Sequence, residues 1–247
     1  MNDRRFLSAS LLAALLVVTT ACTHQSGLTT RDEPLPITGP DAIVRKADPD
    51  PGRYAEDVAR FSELAPDPAE TRPVVLLIGS SSFRLWKAQE ALPEFKVYNF
   101  GFGGSHFTDV NALWDWLSPP VQPDYVLLYE GDNDTAKGAS AFQVYEDFLE
   151  TMGRVLATYP DAKILIIPAK PSPARVAVWK EAEKLNSAMY QFARERDRVD
   201  IAAGLPYMLL GTDGLPVPDY YVEDGIHLSD TGYAVWNAQI RALLLGD

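Results

Sequence analysis

The chain has 247 residues, 47% of them apolar, enough for one sizeable domain with a real core. Lys and Arg total 22 against 34 Asp and Glu, a formal net charge of -12, so the electrostatic footprint of a nucleic-acid partner or an anionic membrane surface is absent. A single cysteine, Cys22, excludes an intramolecular disulfide framework.

Arg4 and Arg5 precede an apolar stretch from Phe6 to Val18, and Thr19, Thr20 and Ala21 lead into Cys22. This is the architecture of an export signal over residues 1–21, too short to span a bilayer comfortably, which takes roughly 20 apolar residues. The stretch "VVTTAC" resembles a bacterial lipoprotein signal, in which the cysteine is lipidated and becomes the new N-terminus. Thr19 departs from the leucine-like residue usual there; cleavage near Ala21 with release as a soluble periplasmic or secreted protein, and retention of the segment as an anchor, are the other readings. Residues 22–52, rich in Pro, Gly, Asp and Thr and without a periodic pattern, read as a flexible tether. The domain is expected over 53–247, led by a short amphipathic helix in which Tyr54, Val58, Phe61 and Leu64 share a face.

After Pro73, short apolar runs alternate with longer stretches of helical period. The runs at 74–78, 96–100, 125–130, 163–168 and 198–202 read as buried parallel strands. Helices are expected near 83–91, 106–117, 140–158, 175–197 and 230–244. Alternating βα units predict an α/β fold, a three-layer α/β/α sandwich around a mostly parallel five-stranded sheet. Ligands of such sheets sit outside the carboxyl ends of the strands, and there the chemistry-bearing residues fall: "GSSS" after the first run, "GFGGS" after the second, "EGDND" after the third, with "EDGIH" before the last helix.

Each block alone is ambiguous. A nucleophilic hydroxyl needs a histidine base, and the histidine needs a carboxylate. Only His227 of the three histidines follows an acid at close range, Asp224, although a helix-cap aspartate beside a surface histidine gives the same pattern. In "GDND", Asn133 can donate to an oxyanion, or the stretch can be plain turn chemistry; it lacks the spacing of a twelve-residue calcium loop. "NFGFGGS" misses the third glycine of a dinucleotide fingerprint, where His106 stands. No cofactor and no metal site is expected.

Together, in this order, the four blocks resemble the SGNH, or GDSL-like, hydrolase family over some 170 residues from Val74 to the last helix. The resemblance implies a flavodoxin-like fold and a serine esterase. It implies Ser81 as nucleophile after Gly79 and Ser80, with Asp224 and His227 completing the catalytic set. The oxyanion would be held by the N–H groups of Ser81 and Gly104 and the amide of Asn133. Ser80 stands where that family commonly has aspartate, and Asp132 where it commonly has threonine or serine. An ionised Asp132 aimed inward would oppose an oxyanion, so it is expected to point away or to contact a substrate hydroxyl. Tyr220 and Tyr221, just ahead of Asp224, are the aromatic candidates for substrate contact, and Ser82 is a candidate helix cap.

The implied partner is a small-molecule or glycan ester, most fittingly a carbohydrate O-acetyl or short-chain acyl ester in the cell envelope. A lysophospholipase-like esterase, a glycan O-acyltransferase and a non-catalytic glycan-binding lipoprotein are the alternatives. A neutral imidazole base implies activity that declines as pH falls through the ordinary histidine range, about 6 to 7.

Overall fold

The computed structural model describes residues 51–64, 66, 67 and 69–246. The expected signal segment, Cys22 and the tether through residue 50 lie outside the described residues. Among the described residues, no helix is long and apolar enough to cross a membrane.

The five apolar runs form five strands: β1 (Val74–Gly79), β2 (Lys96–Gly101), β3 (Tyr125–Tyr129), β4 (Lys163–Ile166) and β5 (Val199–Ile201). All pairings are parallel, and the spatial order is β2-β1-β3-β4-β5. The chain winds one way from β1 to β2 and the other way from β3 onward, so a crevice opens at the carboxyl ends of β1 and β3.

Val75 to Ile78 are fully buried, because a central parallel strand is covered on both faces. Successive side chains alternate between the faces. Leu76 and Ile78 pack with Phe148 and Met152 of the helix Ala141–Thr158 and Leu185 of the helix Trp179–Arg194. Val75 and Leu77 pack with Trp236, Ile240 and Leu244 of the helix Asp230–Leu245. Helices on both faces of one sheet make the expected α/β/α sandwich. A leading helix, Ala55–Ser62, falls inside the amphipathic stretch and buries Phe61 against Phe100 and Phe102.

Three expected helices are broken. The first divides into Ser81–Leu85 and Ala88–Ala91, because Trp86 turns extended and sinks its indole between the layers, donating to Asn237 Oδ1 at 2.7 Å. The second divides at Leu113 into Phe107–Ala112 and Trp114–Leu117. The third starts as a 3-10 segment, Pro173–Val178, in which Arg175 leaves helical geometry. Conversely, "GDND" is more than a turn: Gly131 (φ 105°) caps a short helix, Asp132–Ala136. A side chain at Gly131 would collide with Leu185, and glycine relieves both constraints.

Candidate active site

Gly79 ends β1 where the backbone of β3 approaches too closely for any side chain: a Cβ there would lie 1.9 Å from the Tyr129 carbonyl oxygen. The chain then turns at once into the helix that begins with Ser81. The Ser80 N–H donates to the Tyr129 carbonyl at 3.0 Å, and the Ser80 carbonyl accepts from Phe83 and Arg84. Ser80 is therefore the residue that precedes the helix, which corrects the expectation for Ser82. Ser82 is buried within the first turn, where its carbonyl accepts the Tyr233 hydroxyl at 2.8 Å. Ser80 supports the turn through its backbone, while its buried hydroxyl has no hydrogen-bond partner among the described residues.

Ser81 Oγ lies 2.8 Å from His227 Nε2, and His227 Nδ1 lies 2.6 Å from Asp224 Oδ2. The other carboxylate oxygen of Asp224 accepts the backbone N–H groups of Ile226 (2.7 Å) and His227 (2.9 Å). Burial alone would raise the Asp224 carboxyl; these donors, with the imidazole, outweigh it and hold the group at about 2. A carboxylate ionised at any working pH favours Nδ1–H on His227 and leaves Nε2 free to accept a proton from Ser81.

Gly104 sits at φ 70°, in the loop after β2. Asn99 holds that loop's base, donating from Nδ2 to the Phe83 carbonyl at 2.7 Å and accepting from the Gly101 N–H at 2.9 Å. The Gly104 carbonyl is pinned from the domain's N-terminal segment by Arg53 at 2.8 Å. Arg53 and Tyr54 also both bond Asp109, whose carboxylate accepts the His106 N–H at the start of the next helix.

Asn133 is buried, and both ends of its amide are engaged. Nδ2 donates to the Ser105 carbonyl at 2.9 Å, and Oδ1 accepts from Arg175 Nη2 at 2.7 Å. Ser105 in turn donates its hydroxyl to Glu130 Oε2 at 2.7 Å. Burial and the nearby Asp134 push Glu130 well above the ordinary carboxyl range. Burial likewise raises Asp134 to about 8.

Asp132 is not available to a substrate hydroxyl. It is 5% exposed; its Oδ2 accepts from Tyr129 Oη at 2.9 Å and Lys170 Nζ at 3.3 Å, and forms an ion pair, without hydrogen-bond geometry, with Arg175 Nη1 at 3.0 Å. Burial would raise its carboxyl, yet Lys170 and Arg175 hold it below the ordinary value. Burial in turn lowers Lys170. The tyrosine pair is likewise corrected. Tyr221 is buried with its hydroxyl on the Pro171 carbonyl at 2.6 Å, Tyr220 packs against the same core, and neither borders the cleft beside His227. That cleft, of about 800 Å³, is walled instead by Leu85, Trp86, Lys87, Val222, Tyr233 and Asn237. Among the described residues, no group of three or more His, Cys, Asp or Glu is placed to share a metal ion.

Lys170 and Arg175 were not among the residues expected from sequence. Their signal was available, since "AKPSPAR" follows the fourth apolar run and so occupies the carboxyl edge of the sheet, as the other blocks do.

Fold and site together define a class: α/β proteins with a hydroxyl, an imidazole and a carboxylate in series at the carboxyl edge of a parallel sheet. The model of the GDSL-like lipase/acylhydrolase family matches residues 79–235, and the chain belongs to that family of ester hydrolases. Solved structures share the fold. A Streptococcus pneumonia protein provisionally described as a platelet activating factor is 21% identical, with TM-score 0.67 over 76% of this chain and 91% of its own. A GDSL-like lipase from Bacteroides thetaiotaomicron is 18% identical, with TM-score 0.59 over 80% and 98%. A carbohydrate esterase family 3 protein from Talaromyces cellulolyticus is 16% identical, with TM-score 0.53 over 70% and 97%. No match was found among curated proteins.

Proposed function

We propose that this chain is a serine esterase acting through an acyl-enzyme on Ser81, with a short-chain acyl ester, above all an O-acetyl group on a carbohydrate, as its substrate. The reading rests on one observation: the unbroken series from Ser81 Oγ through His227 to Asp224, at 2.8 and 2.6 Å. His227 takes the Ser81 proton as Oγ attacks the ester carbonyl, and the oxyanion is held by the N–H groups of Ser81 and Gly104 and by Asn133 Nδ2. Ser81 opens its helix, so its N–H has no acceptor within that helix. The tetrahedral intermediate then collapses; its C–O bond breaks, and His227 returns the proton to the leaving alkoxide. Water, activated by the same imidazole, releases the acyl group and restores Ser81.

The leaving alcohol has to come within reach of His227 Nε2, which assigns it to the cleft on that side. The walls there mix apolar (Leu85, Val222) with polar groups (Lys87, Asn237), which suits a sugar better than a long hydrocarbon. Similarity to a carbohydrate esterase supports the same substrate class. We propose further that lipidation of Cys22 anchors the protein in the cell envelope.

Purified protein assayed on nitrophenyl acetate, longer nitrophenyl esters, acetylated oligosaccharide and lysophospholipid tests the reading. Turnover of the acetyl substrates that disappears in Ser81→Ala is expected; equal rates for the two proteins overturn the esterase. Preference for lysophospholipid overturns the substrate class alone. Fatty-acid labelling in cells that persists in Cys22→Ser removes the anchor.

A further inference from the structure

We propose that Arg175 is a positioning residue for acyl transfer: its guanidinium, seated on the buried Asp132, locks the Asn133 amide with its N–H edge toward the developing oxyanion. The inference rests on the serine-esterase reading above.

The two ends of an asparagine amide are nearly equal in size and opposite in polarity, so packing alone does not choose between them. Turned over, Asn133 would aim a carbonyl oxygen at an anion. Two contacts select the productive orientation. Arginine has donors only, so Arg175 Nη2, 2.7 Å away, can face Oδ1 and not Nδ2. The Ser105 carbonyl, an acceptor only, can face Nδ2 and not Oδ1 at 2.9 Å. Rotation of the amide by half a turn breaks both. Nδ2 carries two hydrogens, and with one on Ser105 the second remains for substrate.

Arg175 is itself held. It departs from helical geometry (φ -126°, ψ 17°) within Pro173–Val178, and its Nη1 lies 3.0 Å from Asp132 Oδ2. Tyr129 and Lys170 hold the same carboxylate oxygen, at 2.9 and 3.3 Å. The planar fork thus bridges two neighbouring side chains of one short helix, Asp132 through one nitrogen and Asn133 through the other, a geometry lysine cannot reproduce. The bridge also accounts for a carboxylate beside an oxyanion donor. Two basic side chains face that single carboxylate, so the cluster does not present negative charge to the reacting carbonyl.

The test is a double-mutant cycle on the full chain with nitrophenyl acetate, using Arg175→Ala, Arg175→Lys, Asn133→Ala and the two combinations. Asn133→Ala is expected to lower kcat by about 10²- to 10³-fold, and Arg175→Ala by about tenfold or more, with KM near the starting value. In the Asn133→Ala background, replacing Arg175 should change kcat by less than about twofold, because its only route to the reaction is gone. Arg175→Lys, which keeps a cation near Asp132 but loses the fork, should reproduce most of the Arg175→Ala loss, and it carries the cycle if the alanine variant does not fold. Losses that multiply in the double variant, a rise in KM at unchanged kcat, or full activity in Arg175→Lys each overturn the assignment. Ser81→Ala is assayed alongside: turnover retained there brings down the esterase reading and this inference together, whereas turnover lost there with multiplying Arg175 and Asn133 effects overturns Arg175 alone.

Discussion

On one side of Ser81, His227 and its carboxylate lie three residues apart in a single loop, and Asp224 is 43% exposed. On the other side, Asn133 is buried, and its surroundings come from β3, the loop after β2 and the segment after β4. The first arrangement is made by local hydrogen bonds: Asp224 caps its own loop at the N–H groups of residues 226 and 227, and the geometry of that turn delivers the imidazole. The second is made by tertiary packing that brings Ser105, Asn133 and Arg175 together. A reactive group can therefore stand on a short exposed motif, whereas a donor whose orientation has to be exact to within a half-turn is held by a buried network. Its members have to satisfy one another, because an unpaired charge there is penalised heavily.

The contrast predicts how each side breaks. Ser81→Ala removes the group both sides serve and should lower kcat by on the order of 10⁴- to 10⁶-fold with little change in thermal stability, measured by ester hydrolysis and a melting curve. Asp224→Asn should lower kcat by about 10⁴-fold, since the amide no longer favours the Nδ1–H tautomer. It too should leave the melting temperature nearly unchanged, because the asparagine oxygen still accepts the Ile226 and His227 N–H groups that hold the loop. Asn133→Ala should show a smaller loss of activity, about 10²- to 10³-fold, accompanied by a clear loss of stability, because the Ser105 carbonyl and Arg175 lose a buried partner. A reversal of that pattern, with the exposed side destabilised and the buried side not, would sink the comparison.

The smallest effect concerns protons held on the buried side. Asp134 is raised to about 8, and Glu130 is raised too, so each binds a proton in the native state that it loses in the unfolded chain above about pH 4. Between about pH 4 and 8 the native state therefore carries more protons than the unfolded one, and unfolding free energy falls as pH rises. Asp134→Asn keeps an acceptor for the Phe107 N–H and should flatten this dependence, raising stability at pH 8 more than at pH 5. Denaturant midpoints across that range check it, and parallel curves for the two proteins would contradict it.

Much of this protein follows from sequence alone, for reasons that are local. Fully apolar runs such as Val74–Ile78 suit a parallel sheet covered on both faces, so the strands and the α/β/α class were legible, but not the order of the strands in the sheet. Gly79 before Ser81, and Asp224 three residues before His227, are ambiguous by spacing alone; they became candidates through the resemblance of the four blocks, in order, to the SGNH family. The tertiary structure decided what depends on partners distant in the chain. It broke the expected helices where Trp86 and Leu113 had to reach the core or redirect the chain, and it took Tyr221 into the interior. It turned Asp132 onto Lys170, 38 positions away, and joined Asn133 to Arg175, 42 positions away. Charge along the sequence shows that a carboxylate stands beside Asn133, but only folding shows which cations meet it, because Coulombic pairing in a buried site depends on distance in space.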